Sequence, residues 1–273
     1  MKQLRTAAVL VLVLAMLSAL PGCCIASDPS TGQTKTKEIK KNSLIPLTGI
    51  EKKTIPVFKP LSLSELHAKY PRTFVLSGNS SIRRVALTFD DAPDNKFTPR
   101  ILDILKKEGV KATFFVLGNR AEGYPNVMKR IVREGHIIGN HSYSHPNMNK
   151  LDLDGFRNEI IRTDRIIAQF TGYVPSYIRT PYGNITEPQI KWLAKNHRKA
   201  VNWNVDSLDW KGLSAKEVCA NVLPYIKPGS IVLQHSGKGE KLSGSVEALP
   251  IIISRLKSKG YRFVTIAEMI PFQ

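Results

Sequence analysis

The chain has 273 residues, 42% of them hydrophobic, and a formal net charge of +18 from 40 Lys and Arg against 22 Asp and Glu. Three cysteines are too few for a disulfide framework, so the fold must depend on a hydrophobic core, for which the length is sufficient. Such a charge suits either nucleic acid or an anionic surface. The basic residues are spread over predicted helices, and no arginine-rich tract alternates with aromatic residues. We therefore expect the protein to act on an anionic surface and to have no nucleic-acid partner.

Residues 1–26 predict a secretory signal peptide, because Lys2 and Arg5 precede an apolar run at 7–20 that is followed by small residues. The segment LPGC at 20–23 also resembles a bacterial lipobox, in which Cys23 is acylated after cleavage. Cleavage after Ala26 and an uncleaved anchor are the alternatives, although the apolar run is shorter than the ~20 residues of a membrane-spanning helix. Each alternative predicts an extracytoplasmic protein, secreted or lipid-anchored on the outer face of the membrane, with membrane contact only through its N-terminus.

Residues 27–80 are polar, basic and contain several prolines, which predicts a mostly flexible tether. Within it, residues 62–70 predict a short helix that packs on the following domain. Residues 81–273 then predict a single domain, in which apolar runs alternate with amphipathic stretches. Strands are predicted at 84–89, 112–117, 136–140, 177–180, 199–205, 230–234 and 261–266. Helices are predicted at 98–108, 125–134, 151–170, 187–196, 214–225 and 246–259.

The alternation of strands and helices predicts the fold class. Near-continuous Val, Ile and Phe runs between helices indicate an α/β fold with a parallel sheet that is covered by helices. Seven strands favour a distorted (β/α)7-8 barrel over an open doubly wound sheet. Polar residues follow several strands, and the C-terminal strand ends of such a barrel form one face, where catalysis takes place. We therefore expect the following residues to converge there: Asp90, Asp91, His141, Arg179, Tyr182, Asp206, Asp209 and His235.

One carboxylate of the Asp90–Asp91 pair, together with His141 and His145, makes a minimal ligand set for a catalytic divalent metal. The second carboxylate is then free to act as a base on a metal-bound water. The two histidines are four residues apart, so they share one face if the segment is helical. The alternatives are a turn or helix cap for the aspartates and structural roles for the histidines.

Two further polar residues end apolar strands and need partners. Arg179 requires a carboxylate, and Asp90 is the expected one, since the pairing would keep that carboxylate ionised and oriented. His235 is either a buried imidazole bonded to a backbone carbonyl or a general acid. In the second case Asp206 or Asp209 would pair with it and keep it protonated.

Five short segments, taken together, resemble a known family: TFDD at 88–91, HSYSH at 141–145, RTPY at 179–182, DSLDW at 206–210 and LQH at 233–235. In this order they match the five motifs of the polysaccharide deacetylases of carbohydrate esterase family 4, over about residues 81–273. The resemblance implies a distorted barrel of the polysaccharide-deacetylase type. It also implies that Asp91, His141 and His145 hold the metal, typically zinc, with cobalt, manganese and nickel as alternatives.

The resemblance also implies a catalytic role for each of five residues. Asp90 would be the general base, with Arg179 as its partner. The backbone N–H of Tyr182 would help to form the oxyanion hole and so contact the substrate. His235 would be the general acid, with Asp209 tuning it.

Trp203 and Leu233 would line the pocket for the acetyl methyl group. Ala92 departs from the family pattern, which more often has Gly there. An alanine narrows the backbone conformations open to the turn in the first motif. The loops at 118–124 and 237–244 are expected to border the groove and influence substrate choice.

The sequence therefore predicts a metal-dependent N-deacetylase acting on N-acetylglucosamine units of a cell-wall polysaccharide, with peptidoglycan as the first choice. Peptidoglycan N-acetylmuramic acid, chitin oligomers and poly-N-acetylglucosamine are alternative substrates, and an O-acetyl xylan esterase is an alternative activity. A non-enzymatic glycan-binding lipoprotein is the alternative from another class. The sequence leaves the oligomeric state open, with a monomer expected.

Overall fold

The computed structural model describes residues 61–237, 239 and 241–271. In these residues the strands are β1 Phe74–Val75, β2 Arg84–Ala92, β3 Thr113–Val116, β4 Ile137–Asn140, β5 Tyr177–Ile178, β6 Lys199–Val201, β7 Val205–Asp206, β8 Ser230–His235 and β9 Arg262–Phe263. The α-helices are α1 Leu63–Lys69, α2 Thr98–Glu108, α3 Gly118–Gly123, α4 Pro125–Arg133, α5 Leu153–Thr171, α6 Glu187–Lys195, α7 Ala215–Val222, α8 Ser243–Ser258 and α9 Ile266–Met269.

The strands form one parallel sheet in the order β1-β6-β5-β4-β3-β2-β8-β7, with β9 paired to the start of β2. Strands β6 and β7 are therefore far apart in the sheet, although Val201 and Val205 are close in sequence. A flat sheet would separate these two strands by roughly 29 Å, at about 4.8 Å for each of six spacings. Four residues reach at most about 14 Å. The sheet must therefore curl towards a barrel, as the sequence predicts.

The two faces of the sheet carry different residues, because side chains alternate along each strand. On β2, Val85, Leu87 and Phe89 belong to the apolar cluster beneath the outer helices. Ala86 belongs to a separate cluster inside the curl, together with Phe115. Further along β2 the inward positions become polar, with Thr88 and Asp90. The interior of the curl is thus apolar at the N-terminal ends of the strands and polar at their C-terminal ends.

The fold class and most predicted elements are confirmed, and two predictions need correction. The predicted strand at 199–205 is two strands, because Asn202 donates its N–H to Val75 while Asn204 bonds Ile231 on the other side of the curl. The predicted tether at 27–80 extends too far, since α1 and β1 lie within it and β1 pairs with β6. The short helix predicted at 62–70 is α1.

The predicted signal peptide at 1–26 and the remainder of the tether at 27–60 lie outside the described residues. Among the residues that the structure does describe, none of the helices combines the length and apolar character needed to cross a bilayer.

Candidate active site

A cleft of about 530 Å³ opens at the C-terminal ends of β2, β7 and β8. It brings together side chains that are more than 100 residues apart in sequence. The cleft is lined by Asp90, Asp91, His141, His145, Tyr182, Trp203, Asp206, Trp210, Leu233, His235, Gly237, Gly239 and Leu242. The convergence predicted from the strand ends is therefore present.

The two aspartates reach the cleft because β2 is irregular where they lie. Asp90 and Asp91 fall inside β2 rather than after it, and the pairing with β3 shifts between Phe89 and Ala92. In a regular strand, adjacent side chains point to opposite faces of the sheet. Here Asp91 has a left-handed backbone with φ 61°, which turns its side chain back towards the cleft. Both carboxylates consequently serve one site.

Ala92, the departure from the family pattern, does not require the conformational freedom of glycine. The positive φ falls on its neighbour Asp91, and Ala92 itself pairs with Val116. Its side chain is fully buried in the outer apolar cluster. The methyl group therefore fills space in the core and leaves the cleft unchanged.

His141 and His145 lie in an irregular loop after β4, so the helical segment that would give them a shared face is absent at 141–145. Ser142 and His145 both have left-handed backbones, with φ 73° and 65°. These two turns bring the rings together, with their centroids 5.2 Å apart. One ligand atom from each of Asp91, His141 and His145 lies within 4.8 Å of the others.

The donor atoms fit a divalent metal on three grounds. The Nδ1–H of His141 donates to the carbonyl of Arg179 at 2.7 Å, so the Nε2 lone pair is directed at the site. That Nε2 lies 3.6 Å from Asp90 Oδ2 and 3.8 Å from Asp91 Oδ1. Asp91 Oδ1 is buried without a hydrogen-bond donor among the described residues, which is costly for a carboxylate. One carboxylate and two imidazoles also form a set that zinc and related ions bind.

Arg179 holds Asp90 from inside the curl. Its guanidinium is fully buried and donates to Asp90 Oδ1 and to Thr88 Oγ1, both at 2.8 Å. It also donates to the carbonyls of Val201 and Asn202, which fixes its plane. Burial raises the pKa of the Asp90 carboxyl, but the charges of its cationic neighbours, Arg179 above all, outweigh it and the pKa is lowered. Asp90 is thereby kept ionised.

His235 stands directly opposite Asp90 on the neighbouring strand β8. Its Nδ1–H donates to Asp209 Oδ1 at 2.7 Å, and its backbone N–H donates to Asp209 Oδ2 at 2.9 Å. Burial lowers the pKa of His235, but the hydrogen bond and charge of Asp209 more than offset it and raise the pKa to about 9. Of the two aspartates left open by the sequence, the partner is Asp209, because Asp206 instead accepts the backbone N–H of Leu208.

Tyr182, Trp203 and Leu233 also line the cleft. Leu233 is buried and Trp203 is half-buried. The backbone of Tyr182 is left-handed, with φ 60°, and its ring packs edge-on against His145 with centroids 4.9 Å apart. The apolar residues thus flank the polar group without interrupting it.

One lining residue, Trp210, received no role of its own from the sequence. Trp210 is 59% exposed, and its position beside Asp209 was the available signal. Of the two predicted groove loops, 237–244 contributes Gly237, Gly239 and Leu242 to the cleft. The other, 118–124, is mostly helix α3 and is absent from the lining of this cleft as far as the chain is described.

Comparison with known proteins identifies relatives of this chain. Residues 77–201 match the profile of the polysaccharide deacetylase family. A peptidoglycan-N-acetylglucosamine deacetylase of Bacillus cereus is 54% identical over 196 residues, which span 72% of this chain and 71% of that protein.

Solved structures extend the comparison to three dimensions. A crystal structure of a peptidoglycan N-acetylglucosamine deacetylase bound to 4-naphthalen-1-yl-N-oxidanyl-benzamide is 52% identical, with a TM-score of 0.72, and covers 73% of this chain and 94% of that chain. A CE4 family pseudoenzyme from Bacillus anthracis is 34% identical, with a TM-score of 0.68, over 73% of this chain and 69% of that one. Sequence identity and fold agree, and the chain belongs to the polysaccharide deacetylase family.

Proposed function

We propose that this chain is a metal-dependent N-deacetylase that removes acetyl groups from N-acetylglucosamine units of peptidoglycan. The observation that carries the proposal is that an ionised carboxylate, Asp90, and a protonated imidazole, His235, lie side by side on neighbouring strands. The cleft that they line also contains three side chains able to hold a metal ion. The relatives named as peptidoglycan N-acetylglucosamine deacetylases support the choice of sugar.

The chain's own residues supply the proton transfers. A divalent ion held by Asp91, His141 and His145 would polarise the acetamide carbonyl and lower the pKa of a bound water. Asp90 accepts a proton as the water oxygen attacks the carbonyl carbon. His235 then donates its proton to the nitrogen as the C–N bond breaks, so that acetate and a free amine leave.

The remaining residues orient these groups. Arg179 keeps Asp90 ionised and directed at the cleft. Asp209 keeps His235 protonated and directed at the cleft. The backbone N–H of Tyr182 donates to the oxyanion that develops on the carbonyl oxygen. Trp203 and Leu233 provide an apolar surface for the acetyl methyl group.

We further propose that the ion is zinc and that the protein works outside the cytoplasm, anchored through Cys23 or released after cleavage. The donor set of one oxygen and two imidazole nitrogens supports zinc, while cobalt, manganese and nickel suit the same ligands. The location rests on the sequence of residues 1–26 alone.

A glycan-binding protein without activity is the main competing function, since the family includes a pseudoenzyme of the same fold. The complete set of base, acid and metal-ligating residues favours catalysis, because a binding role requires none of the proton-transfer pairs. An O-acetyl esterase would use the same residues on an ester.

The test compares acetate release by the full chain, in detergent, from purified peptidoglycan, N-acetylglucosamine oligomers and acetylated xylan. Mass spectrometry of the digested peptidoglycan locates the new amine, and the Asp90→Asn variant controls for contaminating activity. We expect fastest release from peptidoglycan, with the amine on glucosamine. An amine on muramic acid would overturn the choice of sugar, and release from xylan alone would indicate an esterase. Metal binding without release from any substrate would favour a binding protein.

A further inference from the structure

The loop at 141–145, which carries both imidazole ligands, is irregular, yet each of its backbone N–H groups has an acceptor. The N–H groups of Tyr143 and Ser144 both donate to Glu159 Oε2 at 2.8 Å. The Ser144 hydroxyl donates to the other oxygen, Glu159 Oε1, at 2.9 Å. One side chain on α5 therefore receives three hydrogen bonds from the residues between the two histidines.

The rest of the loop is anchored in the same way. Ser142 donates its N–H to Asn140 Oδ1 at 2.8 Å, and the His145 N–H donates to Ser142 Oγ at 3.0 Å. Asn140 in turn donates to Asp164 and to the carbonyl of Ile160, both on α5. The histidine loop is thus supported by side chains bonded to α5, and also by α3, whose Gly118 and Asn119 N–H groups donate to the carbonyls of Ser142 and Tyr143.

This support matters because two loop residues, Ser142 and His145, have a left-handed backbone conformation, which residues other than glycine rarely adopt. Such conformations persist only where the surrounding structure enforces them. Hydrogen bonds to a carboxylate are stronger than those to a neutral acceptor. Glu159, on α5, is the charged acceptor for the two central residues of the loop. It lies outside the five short segments that resemble the family motifs.

We infer that Glu159 is a positioning residue for the metal site: it fixes the loop conformation in which His141 and His145 meet Asp91. This inference rests on the proposed metal ligands and adds to them a residue that contacts neither metal nor substrate. Loss of its hydrogen bonds releases two backbone N–H groups and lets the imidazoles separate. Metal binding is then weakened, while the pairs Asp90–Arg179 and His235–Asp209 stay in place.

The experiment measures zinc affinity by competition with a chromophoric chelator, and the visible spectrum of the cobalt form, on the metal-stripped full chain. Glu159→Ala should weaken zinc binding by at least about tenfold, as is usual when a residue that supports a metal ligand is lost. Glu159→Gln keeps the length and an acceptor oxygen, and should bind within about threefold of the parent. Glu159→Asp keeps the charge but is one methylene shorter, and should weaken binding nearly as much as alanine.

The matched control is Glu122→Ala, which removes the same charge from a residue that contacts only the Tyr143 hydroxyl of this loop. Zinc affinity of this variant should stay within about twofold of the parent. The melting temperature of each metal-free variant separates positioning from general stability. If alanine proves unfolded, the aspartate and glutamine variants decide the question.

An unchanged affinity in Glu159→Asp, or an equal loss in the glutamine and aspartate variants, would overturn the positioning role. A fall in melting temperature with unchanged affinity and cobalt spectrum would make Glu159 merely structural. If the parent chain binds no metal, the ligand assignment itself is wrong. If it binds metal but lacks deacetylase activity, only the proposed function is contradicted.

Discussion

Two buried carboxylate–cation pairs flank the cleft, and they differ in which member faces it. In the first, Arg179 is fully buried behind Asp90, and the carboxylate lines the cleft. In the second, Asp209 is buried behind His235, and the imidazole lines the cleft. The register of β2 and β8 places Asp90 and His235 side by side.

The same electrostatic attraction between a carboxylate and a cation can therefore prepare either a base or an acid. Arg179 helps to lower the pKa of Asp90, whereas Asp209 helps to raise the pKa of His235 to about 9. At neutral pH the cleft therefore presents an ionised carboxylate beside a protonated imidazole. Titratable groups whose environments separate their pKa values in this way are typical of acid–base sites.

Removing the base should have the largest effect. Asp90→Asn keeps the shape of the side chain but cannot accept a proton, so kcat should fall by about 1000-fold, within the usual range for general acid–base groups. Steady-state acetate release measures this, and zinc affinity should stay near the parent value. A loss of less than about tenfold would exclude Asp90 as the base.

Removing the acid should cost less, because solvent can protonate part of the departing amine. His235→Gln should lower kcat by about 100-fold with little change in KM. The same acetate assay checks this over several substrate concentrations. If KM rises while kcat stays constant, His235 binds substrate and does not transfer a proton.

Breaking the second pair should move the alkaline limit of activity. The acid form of His235 is present below its pKa of about 9 and is lost as pH rises through that value. Asp209→Asn removes the supporting charge and leaves the burial that lowers the pKa, so the alkaline limb should move to lower pH. The ratio of activity at pH 8 to activity at pH 6 should be about tenfold lower in the variant than in the parent. A kcat–pH profile that coincides with the parent's would show that Asp209 does not tune His235.

His136 is a buried imidazole to which no carboxylate of the described residues bonds, so it shows what burial does without such a partner. Its Nδ1 accepts a hydrogen bond from the Ala112 N–H at 3.1 Å, and burial together with the charge of Lys111 lowers its pKa to about 4. The unfolded chain binds this proton more readily, so stability is lost as pH falls from about 6.5 to about 4, by up to about 3 kcal/mol.

His136→Gln should lack this part of the pH dependence and should leave deacetylase activity nearly unchanged. Urea unfolding of both proteins between pH 4 and 7 measures the difference in unfolding free energy. Stability curves that run parallel over this range would contradict the effect assigned to His136.

Much of the fold and site could be predicted because the signals are local. Alternating strands and helices indicate a barrel, and a charged residue such as Arg179 at the end of an apolar strand demands a carboxylate partner. The conformation of the histidine loop could not be predicted, because the residue types of Ser142 and His145 do not by themselves indicate a left-handed backbone. The break between β6 and β7 depends on hydrogen bonds from both sides of the curl. The role of Glu159 could not be predicted either, because it comes from the position of α5.

The most direct test of the account is acetate release from purified peptidoglycan by the full chain before chelation, after chelation, and after zinc or cobalt is returned. The Asp90→Asn variant is measured alongside. We predict that release by the parent stops on chelation and returns with metal, while the variant binds metal and remains nearly inactive. Release that continues unchanged after the metal has been removed, or equal release by the variant, would contradict the account.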